Sequence, residues 1–138
     1  GDVLFNIDLD KMLSHHKKCA ADATLVVHYS DHPEDSDVVI MEKESVRKMI
    51  RKPGSNKYGN ITNAGLYIFE PKCFGEIPEN SAYSIDKDLL PDLIQKGFTV
   101  CGYREKNGEY IRDAGTPERF LEVGNDISTG VLTFKKEL

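Results

Sequence analysis

A chain of 138 residues with 39% hydrophobic and 30% charged content is sized and composed as one globular domain that can bury a core without staples. The net charge of -5 and the absence of a basic stripe interleaved with aromatics argue against a nucleic-acid-binding surface, and no apolar run reaches membrane-spanning length. Cys19, Cys73 and Cys101 are odd in number and widely spaced, so they read as reduced core thiols of a cytoplasmic protein; the histidines show no zinc spacing, which leaves hard oxygen ligands as the better metal candidates.

The chain opens on Gly1-Asp2 and passes at once into Val3-Leu4-Phe5, which reads as a cut through a larger fold. Asp8 to Ala21 has the clearest helical pattern: Leu9, Met12, Leu13, His16, Cys19 and Ala20 share one face, Asp8 can cap the start, and Lys17-Lys18 suit the last turn. His15 and His16 read as a solvated and a face-edge residue with no chemistry. Ala23 to Tyr29 is a short β-branched apolar run, a buried strand. Asp37 to Glu42 and Ser45 to Lys52 read as two strands joined at Lys43-Glu44, ended by Pro53-Gly54. Asn60 to Phe69, NITNAGLYIF, is the strongest strand and is expected to be covered on both faces, with Gly65 marking a bulge or a close backbone approach.

Lys72 to Ile77 reads as a single helical turn. Ser84 to Gly97 is helical in pattern, broken at Pro91 and closed by Gly97. Phe98 to Arg104 and Glu109 to Arg112 predict a hairpin across Lys106-Asn107-Gly108. The next stretch reads YIRDAGTPERF: a strand end, Asp113 where it stops, Gly115 to turn, Thr116 as N-cap, Pro117 at the first helical position and Glu118 in the first turn. The helix is expected from Pro117 to about Val123, with a last strand over Val131 to Phe134. Strands alternating with helices predict an α/β fold with a mixed, mostly parallel sheet flanked by helices.

Five residues are candidates for chemistry. A carboxylate on a strand-to-helix turn, as at Asp113, points into the crevice where open α/β sheets bind ligands. Asp2, before another apolar segment, could meet Asp113 and make a Mg²⁺ site, since this cation takes one or two carboxylates and fills its shell with phosphate and water oxygens. Lys52 could reach a phosphate as a point charge. Asn63 and Gly65 offer an amide and an unobstructed backbone to a sugar. Each also has a purely structural reading: a capped turn, a chain-end aspartate, a solvated lysine, a turn residue and a bulge.

In order, GD, a helix ending in His and Lys, ATLVV, a KP turn, NAGLYIF-P, DLLP and DAGTPERF resemble the sugar-phosphate nucleotidyltransferases, including mannose-1-phosphate and heptose-1-phosphate guanylyltransferases and glucose-1-phosphate thymidylyltransferases. The resemblance runs to about Gly124 and covers the second half of that family's Rossmann-like catalytic domain. It implies attack of a sugar 1-phosphate on the α-phosphorus of a nucleoside triphosphate, with release of pyrophosphate and formation of a nucleotide sugar; a mannose- or heptose-like sugar and GTP are the expected pair. It also implies Mg²⁺ on Asp2 and Asp113, Lys52 on the sugar phosphate, Asn63 and Gly65 lining the sugar pocket, and no nucleophilic catalytic side chain.

The family's Glu before Lys-Pro is Arg51 here, which cannot accept hydrogen bonds from sugar hydroxyls, and a Gly common near residue 37 is Asp37. The family's Gly-rich nucleotide loop has no counterpart in the chain. The expectation is one domain over residues 1–138, a sugar-phosphate-binding portion whose nucleotide-binding N-terminal half is its missing partner, inactive alone. No nucleic-acid or membrane partner is expected, and homo-oligomerisation stays open. Two other readings stand beside it: a non-catalytic homologue for assembly or effector sensing, favoured by Arg51, and a small α/β ligand-binding module without phosphate chemistry.

Overall fold

The computed structural model describes residues 2–133. Its strands are β1 (Val3–Asn6), β2 (Ala23–Tyr29), β3 (Val38–Glu42), β4 (Ser45–Ile50), β5 (Ile61–Phe69), β6 (Val100–Arg104) and β7 (Tyr110–Asp113). Its α-helices are α1 (Leu9–Lys18), α2 (Leu90–Gln95) and α3 (Pro117–Ser128). No described helix is long and apolar enough to cross a membrane.

The strands form two sheets. β2, β5, β3, β4 and β6 hydrogen-bond in that order and close into a ring, while β1 and β7 make a separate two-stranded ribbon. The α/β class is as expected, and the sheet is mixed, but its pairing is not mostly parallel: among the described strand pairs only β2 with β6 runs parallel. Short reversals such as Lys43-Glu44 between β3 and β4 force antiparallel neighbours, because a parallel pair needs a long crossover. The crossover that does occur carries α2, between β5 and β6.

The hairpin expected across Lys106-Asn107-Gly108 is not formed, although the turn is. Glu109 N–H donates to Lys106 O at 2.9 Å, yet β6 continues alongside β2 and β7 leaves to pair with β1, Val3 opposite Asp113. Glu109 drives the departure. Its carboxylate accepts from Tyr103 Oη at 2.8 Å, from Asp8 N–H at 3.1 Å and from Lys106 N–H at 2.9 Å, tying the turn to the start of α1.

β2 alternates between two packed clusters. Ala23, Leu25 and Val27 face one with Val39, Val46, Leu89, Leu90, Leu93 and Val100; Val26 faces the other with Ile7, Met12, Tyr103 and Ile111. β5 feeds both as expected, Tyr67 and Phe69 into the first and Ala64, Leu66 and Ile68 into the second. Its pairing with β2 shifts register between Leu25 and Val27, opposite Gly65 at φ +81°, so the expected bulge is present.

Helix chemistry follows the sequence closely. Lys11 N–H donates to Asp8 Oδ1 at 3.0 Å, and Arg119 N–H donates to the Thr116 hydroxyl at 3.3 Å. Pro91 sits in the first turn of α2, preceded by a π-type turn over Ile85–Leu89, and Gly97 N–H closes the end on Ile94 O at 3.2 Å. α3 is longer than expected, reaching Ser128. No strand forms over 131–133; Leu132 is buried after its N–H bonds Asp126 O, and Phe134 lies outside the described residues.

The α1 histidines also differ from expectation. His16 is buried, its Nδ1 at 2.8 Å from the Thr24 hydroxyl and its Nε2 at 3.2 Å from Glu70, because β2 and the end of β5 pass beneath it. His15 is half-buried with its ring edge-on to Tyr103.

Candidate active site

The β1–β7 register decides the geometry of the first two candidates. Because Val3 lies opposite Asp113, Asp2 falls beside Ala114, whose N–H donates to Asp2 O at 2.6 Å. Two aspartates 111 positions apart are thereby held at the same end of the ribbon, where the chain turns into α3. Gly115 makes their approach possible: a Cβ there would stand 2.9 Å from Asp113 Oδ1 and 3.0 Å from Asp2 Oδ2. Oxygens of both carboxylates thus converge on one point that any side chain would fill. Two exposed hard-oxygen ligands around such a point fit a divalent cation.

Asp113 is already engaged. Oδ1 accepts from Gly115 N–H at 2.7 Å, and Oδ2 is ion-paired with Arg119 one turn into α3. The Arg119 pairing thus holds Oδ2, while Oδ1 is the Asp113 oxygen that faces Asp2.

Asn63 and Gly65 are held together inside the β5 bulge, since Gly65 N–H donates to Asn63 Oδ1 at 3.1 Å. The Asn63 amide donates to Tyr67 Oη at 2.8 Å and to Asp86 Oδ1 at 3.0 Å, and Tyr67 Oη donates to the same Asp86 oxygen. Burial, then that bond to Asp86, raises the Tyr67 phenol well above its ordinary value, so it stays a donor. Gly65 is the link to the aspartates, because a Cβ there would touch Val3 Cγ2 at 3.4 Å, next to Asp2. Asn63 and Asp113 both line a cleft of about 280 Å³, together with His28, Ser36, Arg112 and Arg119.

Lys52 is exposed at φ +34° and is not among the residues lining that cleft. It connects indirectly. Its backbone N–H donates to Asp37, and Asn63 N–H donates to Asp37 O at 3.0 Å. The structure therefore brings Asp2, Asp113 and Gly65 together, puts Asn63 beside Gly65, and leaves Lys52 on the far side of Asp37.

Several polar groups here carried no sequence signal. Arg119 looked like an ordinary helix residue; its position six after Asp113 in a capped turn is the cue that it can fold back. Asp86 sat in a helical pattern and gave no hint of reaching β5. Asp37 is half-buried with Oδ1 unpartnered, and burial, reinforced by Asp86 nearby, raises its carboxyl above the ordinary range. His28 has a buried Nδ1 without a partner, and burial lowers its imidazole below the usual value.

Known proteins carry the same arrangement of sequence. Residues 1–130 match the family model described as nucleotidyl transferase. The chain is 32% identical over 133 residues to the mannose-1-phosphate guanylyltransferase of Mycobacterium tuberculosis, covering 95% of this chain and 36% of that protein. It is 29% identical over 136 residues to the glucose-1-phosphate adenylyltransferase of Halalkalibacterium halodurans, covering 92% and 35%. The chain thus spans about a third of the length of these relatives. In fold it superposes with a TM-score of 0.73 on a Bacillus anthracis protein described as a glucose-1-phosphate thymidylyltransferase, crystallised with sucrose, at 19% identity over 98% of this chain and 54% of that one. Enzymes of this family generally use a divalent metal, the kind of ion that the paired aspartates suit. By the match over residues 1–130, the chain belongs to the nucleotidyl transferase family.

Proposed function

We propose that the chain supplies the sugar-phosphate side of a sugar-1-phosphate nucleotidyltransferase, which joins a sugar 1-phosphate to a nucleoside triphosphate and releases pyrophosphate. The convergence of Asp2 and Asp113 on the space kept open by Gly115 carries this reading. The relatives are about three times as long as the matched region, and the proposal assigns the nucleotide-binding half to the part of them that this chain does not cover. On this view residues 1–138 form one sugar-side unit that binds substrate without turning it over alone, in a cytoplasmic enzyme; a mannose- or heptose-like sugar with GTP is the favoured pair.

In the proposed mechanism, Asp2 and Asp113 hold Mg²⁺, which neutralises phosphate charge when bound. Asn63 and Gly65 line the sugar pocket, where the bulge exposes backbone and Tyr67 and Asp86 fix the amide. Lys52 contributes a point charge to the sugar phosphate, its backbone anchored on Asp37. Phosphoryl transfer of this kind asks for positioning and charge balance rather than a nucleophilic side chain.

Isothermal titration of the chain with mannose 1-phosphate in Mg²⁺ tests this. Binding is expected to be saturable, Mg²⁺-dependent, and lost in Asp113→Asn and Lys52→Ala. Tight, base-selective binding of a nucleoside triphosphate would sink the assignment of the nucleotide half elsewhere. Arg51, exposed beside Lys52 where the resemblance expects a sugar-binding Glu, favours a second reading: a non-catalytic homologue used for assembly or effector sensing. Sugar-phosphate binding unchanged by Asp113→Asn would support that reading.

A further inference from the structure

On a different part of the molecule, three ligating side chains from two elements meet. Cys19 Sγ at the end of α1 lies 3.6 Å from His15 Nε2, one helical turn earlier, and donates to Glu44 Oε2 at 3.3 Å in the β3–β4 turn. All three ligand atoms lie within 4.8 Å of one another.

We propose that His15, Cys19 and Glu44 form a three-ligand zinc site that fastens the end of α1 to the β3–β4 turn. It shares no residue with the sugar-phosphate site and does not depend on that reading. With Zn–S, Zn–N and Zn–O lengths of about 2.3, 2.0 and 2.1 Å, tetrahedral ligands stand roughly 3.3–3.8 Å apart, so the thiol–imidazole and thiol–carboxylate separations already match. Nitrogen with one sulfur and one carboxylate is a set that suits Zn²⁺ and not Mg²⁺ or Ca²⁺.

The scaffold supports each ligand. His15 and Cys19 stand four apart on one helix face, and the His15 ring is held edge-on to Tyr103. The Glu44 backbone is tied down, its carbonyl accepting from Gly102 N–H at 2.8 Å, while its side chain stays exposed and adjustable. Access is open, because His15 and Glu44 border a surface depression of about 510 Å³. Metal binding converts the Cys19 thiol to a thiolate, releases its proton to solvent, and weakens as pH falls.

This grouping escaped the sequence because Cys19 and Glu44 have no metal-binding spacing; the His15-Cys19 step on a helix was its one visible trace.

The test is Co²⁺ titration of the reduced chain as a spectroscopic stand-in, followed by displacement with Zn²⁺. The expected result is one equivalent per chain, with thiolate-to-cobalt charge-transfer absorption in the near ultraviolet and tetrahedral bands in the visible, both lost in Cys19→Ser and abolished by Zn²⁺. Cys73→Ala should keep both bands, since Cys73 donates instead to Asp22 O. Absence of the charge-transfer band, or a band that survives Cys19→Ser, overturns the site. Should Cys19→Ser fail to fold, alkylation of the unaltered chain decides: Zn²⁺ should protect Cys19 from iodoacetamide, and equal labelling of Cys19 with and without Zn²⁺ would overturn the proposal.

Discussion

The five-stranded ring and the β1–β7 ribbon solve different problems with similar sequence. In the ring, Ala23, Leu25, Val26 and Val27 are 0–1% exposed, and α2 adds Leu90 and Leu93 at 0%. In the ribbon, Ile111 is fully buried, but Phe5 is 39% exposed, and Phe120 and Leu121 on the adjoining helix are 65% and 66% exposed. The ring holds most of the packing. The ribbon uses one buried face to dock and leaves its end, with Asp2, Asp113 and Arg119, open to water. The difference teaches that the candidate chemistry sits where the fold can spare solvent exposure, and that its precision comes from strand register rather than from burial.

The largest effect should come from the ring. Leu25→Ala removes a fully buried side chain between sheet and α2 and is expected to cost about 2–5 kcal/mol. Phe5→Ala, on a partly exposed ribbon position, should cost about 1 kcal/mol or less. Urea denaturation of both variants measures the contrast. Equal losses would mean that the ribbon is as integral to the core as the ring, and the division of labour would fail.

How far the sequence reveals these regions depends on whether the relevant partner is near in the chain. The NAGLYIF run, the Gly65 bulge, the Asp8 and Thr116 caps and the Pro91 start of α2 are all local, set by side-chain pattern and backbone preference, and all appear where expected. The Lys106-Gly108 turn is local too, and it forms. What it cannot specify is which strand receives the chain afterwards: β7 pairs with β1, more than a hundred residues earlier, and the Glu109 carboxylate that steers it binds Asp8 across the same gap. The same limit hid the Cys19–Glu44 contact and the Asn63–Asp86 bond, while the Asp2–Asp113 meeting was foreseeable only because both aspartates stand at strand ends.

A second, smaller effect probes how tightly the ring closes. Gly102 lies on β6, where a Cβ would stand 2.5 Å from Met41 Cε and 2.8 Å from Met41 Sδ. The Met41 side chain reaches from β3 over Gly102, so a Cβ there needs the flexible end of Met41, which is only partly buried, to move aside. Gly102→Ala is expected to cost about 1 kcal/mol or less, since the flexible thioether of Met41 can move aside. Shortening the obstacle should recover part of the loss, so Met41→Ala and Gly102→Ala together should be less damaging than the sum of the two singly. Strict additivity in thermal or urea unfolding would show that closure at β6 does not depend on this contact.

The smallest effect lies on the ring, at Asp37, just before β3. Burial, with Asp86 adding to it, raises its folded carboxyl pKa above the ordinary 3.8, and Oδ1 has no partner. A raised folded pKa means that the native state holds this proton more firmly than the unfolded chain does. Its stabilising contribution is therefore complete below the unfolded value and is lost as pH rises from about 3.8 through the folded one. Above that window the native chain carries a half-buried carboxylate close to Asp86. Asp37→Asn removes the charge while its amide oxygen can still accept from the Lys52 backbone, so the variant should be more stable than the parent at pH 7. The advantage should shrink as pH falls toward 3.8, because the parent becomes neutral there as well. Paired urea titrations across that range read the sign directly. A variant less stable at pH 7 would mean that the Asp37 charge is compensated by Arg51 and Lys52 in the folded chain, and that this turn is held by ion pairing instead of being strained by burial.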